Sequence, residues 1–227
     1  MRYLGNLLVV VATNNGKKRI EQFLSAQTHR HPIAIVDTGS RDTEAIQYLE
    51  RLPRERPGVE VLQTPYRGYD TGAYLWAYWN LPFKNYLFLQ DSMTPRVPDY
   101  AERMLTVANG WVAAWAGFNI GIWDGQEQLD SVMYMFRHVP GDLPEYGIFG
   151  PNFLASHDAL DRLRERGLLP SVPTHKEAAQ GCERGWAIAF HRAEIPVSIV
   201  VPEHEPRRTE MEQGKYPIFT KSFGGRA

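Results

Sequence analysis

Short, nearly continuous apolar runs alternate with amphipathic stretches through the first hundred residues. Leu7–Ala12 is an apolar run of strand length that ends at Thr13-Asn14-Asn15-Gly16. Lys17–Gln27 follows with Ile20, Phe23 and Leu24 at helical spacing. Ile33–Val36 predicts a second buried strand, stopped by Asp37-Thr38-Gly39-Ser40, and Asp42 or Thr43 can cap a helix through Leu52. Val59–Leu62 reads as a third strand, Thr71–Trp79 as a helix and Tyr86–Leu89 as a fourth strand. Strands apolar on both faces, alternating with helices, predict a parallel sheet covered on both sides.

The second half is less regular. Trp111–Trp115, Val132–Phe136 and Phe149–Ala155 are expected as strands extending the sheet, with Val197–Val201 as a last short one. Helices are expected over His157–Arg166 and Glu177–Arg192. The segment from Glu203 onward, rich in charge, Pro and Gly, is expected as a covering loop. With no repeat and no low-complexity linker, the 227 residues suit one domain, 1–227, with halves at 1–100 and 101–227.

The fourth strand carries the sharpest chemical signal. It delivers Asp91 to the point where Ser92-Met93 and then Pro95 and Pro98 are expected to end pairing. Carboxyl ends of strands are where open α/β sheets bind ligands; a carboxylate there can equally turn the chain.

Charge narrows the partners. Lys plus Arg is 25 against 26 Asp plus Glu, a formal charge of −1, which gives no case for nucleic acid. Arg51, Arg54 and Arg56 read as a solvated helix end. A single cysteine, Cys182, excludes an internal disulfide and multi-cysteine zinc sites, and suits a reducing, cytoplasmic compartment. Leu7–Ala12 is too short to span a bilayer and lacks the flanks of a signal peptide. Peripheral contact with the inner face of a membrane stays open, as does the oligomeric state.

Five segments, in order, resemble the family 2 glycosyltransferases and their relatives with the A-type glycosyltransferase fold. VVVATNNG is similar to the family's opening strand and its Thr/Asn-rich exit, and IAIVDTGSRDT to the strand followed by Asp-x-Gly-Ser-x-Asp. YRGYDTGAYLWAYW resembles the turn and helix before the metal motif, in the form seen in rhamnosyl- and related cell-surface-sugar transferases. FLQDSMTPRVPDYAERML resembles the metal motif itself, and GPNFLASHDAL with GCERGWAIAFHRAEIP the acceptor side. The resemblance covers Leu7 to about Val201. It implies a three-layer sandwich around a mostly parallel mixed sheet. It also implies a metal-assisted, inverting transfer of a sugar from a nucleoside diphosphate sugar to a hydroxyl on a glycan, lipid-linked or protein acceptor, as in polysaccharide biosynthesis.

The resemblance also distributes roles. Thr13, Asn14, Asp37, Arg67, Asp70, Gln90 and Asp91 are implied around the donor, and Asp91 as ligand to Mn²⁺ or Mg²⁺ with His204 as a late extra ligand. Leu89 stands where the family has its first acid. Asp37 can instead bond its own Gly39-Ser40 turn, Asp70 or Thr71 can simply cap a helix, and Arg67 can lie on the surface. Glu183 is the implied general base, expected near the start of its helix with Trp186 beside it, and Glu177 is the second candidate. A surface glutamate favoured by the helix dipole is the alternative. Trp123, Trp186 and Tyr146 are sugar-stacking candidates or core, and Cys182 a small buried residue. Two competitors stand: a nucleotidyltransferase, and a sugar-nucleotide-binding module that kept the fold and lost the activity.

Overall fold

The computed structural model describes residues 3–27, 31–65, 67, 69–119, 143–201, 213, 215 and 217–222. Four strands pair in parallel: β1 (Gly5–Thr13), β2 (Ile33–Asp37), β3 (Val59–Gln63) and β4 (Phe83–Gln90). Helices α1 (Lys17–Ser25), α2 (Thr43–Glu55) and α3 (Tyr69–Asn80) connect them. Beyond β4 come β5 (Met93–Pro95), α4 (Tyr100–Ala108) and β6 (Val112–Asn119), then β7 (Tyr146–Ile148) and β8 (Phe153–Ser156). The described chain continues with α5 (His157–Glu165), α6 (Lys176–Arg192), β9 (Val197–Val201) and β10 (Phe219–Lys221).

The main sheet runs β3-β2-β1-β4-β8-β6-β7, with β9 also on β6. β8 is antiparallel to both β4 and β6, so the sheet is parallel on one side and mixed on the other. β1 lies between β2 and β4, with Val11 opposite Ile35 on one side and Leu89 on the other. The strand order therefore reverses at β1. That is where adjacent connections leave on opposite sides of the sheet and open a crevice.

Period-two alternation along β1 divides the core. Leu8, Val10 and Ala12 face α3, α5 and α6, among Tyr74, Leu160 and Trp186. Leu7, Val9 and Val11 face α1, α2 and α4, among Phe23, Leu49 and Met104. Trp115, Trp186, Tyr86 and Phe88 are fully buried, and a side chain of that size costs about 3–5 kcal/mol when truncated in a core. Helix α2 starts where Asp42 accepts the Ala45 N–H at 2.8 Å, the expected cap.

Three expectations are corrected. Phe149–Ala155 is not one strand: Gly150, at φ 54°, and Pro151 turn the chain between β7 and β8. Pro95 does not end pairing, because Met93–Pro95 runs antiparallel to Phe219–Lys221. Pro95 closes that ladder, and the next N–H, of Arg96, reaches Ile218 O at 2.8 Å. The late segment is consequently not all loop. Val132–Phe136, Trp123 and the segment around Glu203 and His204 lie outside the described residues.

Candidate functional site

The exits of β1, β2 and β4 meet at the reversal point. Thr13 ends β1 and donates its hydroxyl to Asp91 Oδ2 at 2.9 Å, while the Asp91 N–H bonds Ala12 O. Asp91 Oδ1 accepts from Arg19 of α1 at 3.3 Å. Gly16, which caps α1, closes on the same carboxylate: a Cβ there would lie 2.2 Å from Asp91 Oδ2 and 2.3 Å from Thr13 Oγ1. Asn15, in the left-handed region at φ 55°, splices β1 to β2 by accepting the Arg41 and Asp42 N–H groups. Asn14 donates to Thr38 O.

These loops enclose a cleft of about 460 Å³, lined by Thr13, Asn14, Thr38, Gly39, Tyr69, Asp70 and Asp91 together with three guanidinium groups, Arg19, Arg41 and Arg67. The volume suits a small organic ligand. Three cations against two carboxylates suit an anionic one. Asp37 does not line the cleft. Its Oδ1 accepts both the Ser40 N–H at 3.0 Å and the Ser40 hydroxyl at 2.6 Å, so the carboxylate shapes the turn that carries Thr38 and Gly39.

A second cleft, about 530 Å³, shares Tyr69 and Asp70 with the first and adds Gln90, Pro151, Lys176, Gln180 and Glu183. The wall between them is tightly tied. α3 begins at Tyr69, so Asp70 sits inside its first turn and is not the cap. Tyr69 itself has φ 49°, a conformation that costs a bulky residue roughly 1–3 kcal/mol and concentrates at ligand sites. Asp70 Oδ2 accepts from Gln90 Nε2 at 2.5 Å. The Gln90 side-chain carbonyl accepts from Lys221 Nζ, and its backbone N–H bonds Asn152 Oδ1 at 2.9 Å.

Glu183 lies mid-way along α6, not near its start as expected. The helix starts at Lys176, one residue before the expected Glu177, so the Gly181-Cys182 pair lies inside it. Burial pushes the Glu183 carboxyl above the usual carboxylate range; Lys221, the Gly150 N–H and Arg184 pull it back, and nearby Asp70 raises it further. Lys221 is 6 % exposed and responds in kind: burial lowers its pKa, opposed by Glu183, Asp70 and Asp91. Trp186 packs in the core and donates to Thr71, so it is not a stacking platform. Burial pushes the Cys182 thiol up to about 12, the state of an inert core cysteine.

Arg19, Arg41, Tyr69, Asn152 and Lys221 escaped sequence reasoning. The run Lys17-Lys18-Arg19 directly after the β1 exit was a visible signal for the first. Nothing near Lys221 in the chain marks it, since its partner Gln90 lies 131 residues away.

The donor set for a divalent cation is thin. Among the described residues no three His, Cys, Asp or Glu side chains converge in a way that could hold a metal ion. Asp91 offers one carboxylate, already bonded to Thr13 and Arg19, and Leu89 is wholly in the core. The described residues do not fit a metal centre.

No protein-family model matches the chain, and no curated protein matches it. Solved structures do. S. aureus TarS, residues 1–349, superposes with a TM-score of 0.53 at 15% identity over 87% of this chain and 58% of that one. The mannosyltransferase PcManGT from Pyrobaculum calidifontis, in complex with GDP-Man and Mn²⁺, superposes at 0.55 and 14% identity over 93% of this chain and 61% of that one. The fold is that of the A-type glycosyltransferases. The chain spans about three-fifths of the length of these proteins. A further TarS structure, in complex with UDP, aligns at a TM-score of 0.50 and 13% identity. No helix among the described residues is long and apolar enough to cross a membrane.

Proposed function

We propose that the protein is an inverting glycosyltransferase. The cleft at the ends of β1, β2 and β4 takes the nucleoside diphosphate of a sugar donor, and the adjoining cleft takes the acceptor hydroxyl. Glu183 removes the hydroxyl proton as the acceptor oxygen attacks the anomeric carbon. The bond from that carbon to the diphosphate oxygen breaks, and its electron pair leaves with the nucleoside diphosphate. One proton moves to Glu183, one C–O bond forms and one breaks.

The observation that carries this reading is the pair of clefts meeting at Tyr69 and Asp70, one lined by guanidinium groups and the other by a carboxyl raised by burial. A base needs a pKa near working pH, and burial moves Glu183 in that direction. The GDP-Man and UDP complexes of the two structural neighbours support a nucleotide-sugar donor. Hexosyl and rhamnosyl donors both suit this reading.

The test is a thermal-shift panel of UDP, dTDP, GDP and CDP on the wild type and on Thr38→Arg, which fills the first cleft. A ligand that binds only the folded state raises its apparent stability. One nucleotide is expected to raise the melting temperature of the wild type and not of the variant. No shift with any of the four would sink the reading. The absent acid at Leu89 favours a second reading, a binding module without turnover, and a nucleotide shift with no donor consumption would support it.

A further inference from the structure

We propose that this cleft binds its nucleoside diphosphate without a divalent cation, the Arg19 guanidinium and the Lys221 ammonium supplying the positive charge from the chain itself. The inference rests on the donor-binding reading above and specifies how that site works.

The end of β4 is already occupied by cations. Arg19 reaches Asp91 Oδ1 from the cleft side at 3.3 Å and lines the cleft. Lys221 reaches Gln90, the preceding residue, from the interior. An ammonium buried to 6 % exposure is costly unless compensated. Here Glu183, Asp70 and Asp91 all act on it electrostatically. Among the described residues, a metal ion arriving at Asp91 would meet that carboxylate, a guanidinium to displace and a like-charged ammonium behind. A diphosphate meets the opposite situation, because both fixed cations favour it and neither has to be recruited from solution.

The backbone packs against Asp91, which holds Arg19, and against Lys221. Gly16 closes on Asp91, and Gly150 closes on Lys221, where a Cβ would stand 2.5 Å from Nζ and 3.0 Å from Gln90 Oε1. Neither end of the Asp91–Gln90 pair has room beside it for an added side chain, so the charges are held by packing. A fixed, water-poor charge such as the Lys221 ammonium acts more strongly on a developing anion than a mobile one does.

Calorimetric titration of the full chain with UDP, dTDP, GDP and CDP tests this, once in excess EDTA and once in excess Mn²⁺. The expected result is a nucleotide whose Kd agrees within about threefold between the two conditions. Arg19→Gln is expected to weaken it about tenfold or more in EDTA, on the scale of a lost charge-assisted hydrogen bond, and Lys221→Met, whose ammonium acts from behind Gln90 without lining the cleft, by a smaller factor. The ligand-free melting transition checks that each variant folds, and if Lys221→Met does not, the half-buried Arg19→Gln carries the test alone. Binding that appears only with Mn²⁺ overturns the inference and leaves the donor reading intact, as does unchanged binding by Arg19→Gln in EDTA. Binding in neither condition overturns both.

Discussion

The two sides of the sheet build their halves of the site in different ways. On the parallel side, β1, β2 and β4 each end in a short polar loop, and consecutive connections bring Thr13, Thr38 and Asp91 together. Each residue's place follows from the strand just before it. On the mixed side, the parts come from unrelated stretches. Asn152 precedes β8, Glu183 sits inside α6, and Lys221 ends the two-stranded β5–β10 ladder. Local order builds the first cleft, and long-range pairing builds the second.

The difference should show first in catalysis. Glu183→Gln is expected to lower transfer by roughly 10²–10⁴-fold, the usual worth of a positioned base, while leaving nucleotide binding unchanged because Glu183 lies in the other cleft. Donor consumption and thermal shift measured on the same variant would separate the two. Loss of both together would merge what this account keeps apart.

Next come the two glycines. Gly16→Ala forces a Cβ onto Asp91, and Gly150→Ala forces one onto Lys221 at a left-handed φ. Each is expected to cost about 1–3 kcal/mol in chemical denaturation, the range of an overpacked site. Gly16→Ala should also abolish the nucleotide shift. Gly150→Ala, which displaces the Lys221 ammonium, should weaken the nucleotide shift as well as turnover.

The pH dependence follows from Glu183. Its folded pKa lies above that of the unfolded chain, so folded protein holds this proton where unfolded protein has lost it. Its contribution to stability is therefore full at low pH and falls as pH rises through the folded pKa. The base form appears over the same window, so transfer should rise on an acidic limb above the ordinary glutamate value of about 4.3. Removing the ammonium with Lys221→Met should move that limb higher, because Lys221 pulls the carboxyl down. Carbon NMR titration of the Glu183 carboxyl would show either shift directly.

Asp42→Ala is expected to produce the smallest effect. Losing the α2 cap should cost about 1 kcal/mol with nucleotide binding intact.

The same contrast governs how much of the molecule was legible from sequence. Leu7–Ala12, Ile33–Val36, Val59–Leu62 and Tyr86–Leu89 each fall within an observed strand, because buried parallel strands are continuous apolar runs with polar exits. Of the residues the resemblance implied for the donor, Thr13, Asn14, Arg67, Asp70 and Asp91 line one cleft, and Gln90 the next. Asp37 resolves to its turn, since a carboxylate three residues before a serine finds local donors first. On the other side, Gly150-Pro151 broke an expected strand, and Glu183 falls mid-way along its helix rather than near the start. Lys221 could not be found at all. Its position depends on the pairing of Met93–Pro95 with Phe219–Lys221, a contact that no periodicity encodes.

The most direct test of the account is the anomeric configuration of the product, read by proton NMR. The donor would carry the nucleotide that stabilises the protein, offered with a panel of glycan and lipid-linked hydroxyl acceptors. A product inverted at the anomeric carbon is predicted, since one displacement assisted by Glu183 permits no other outcome. A retained configuration, or no product with any acceptor, would contradict it.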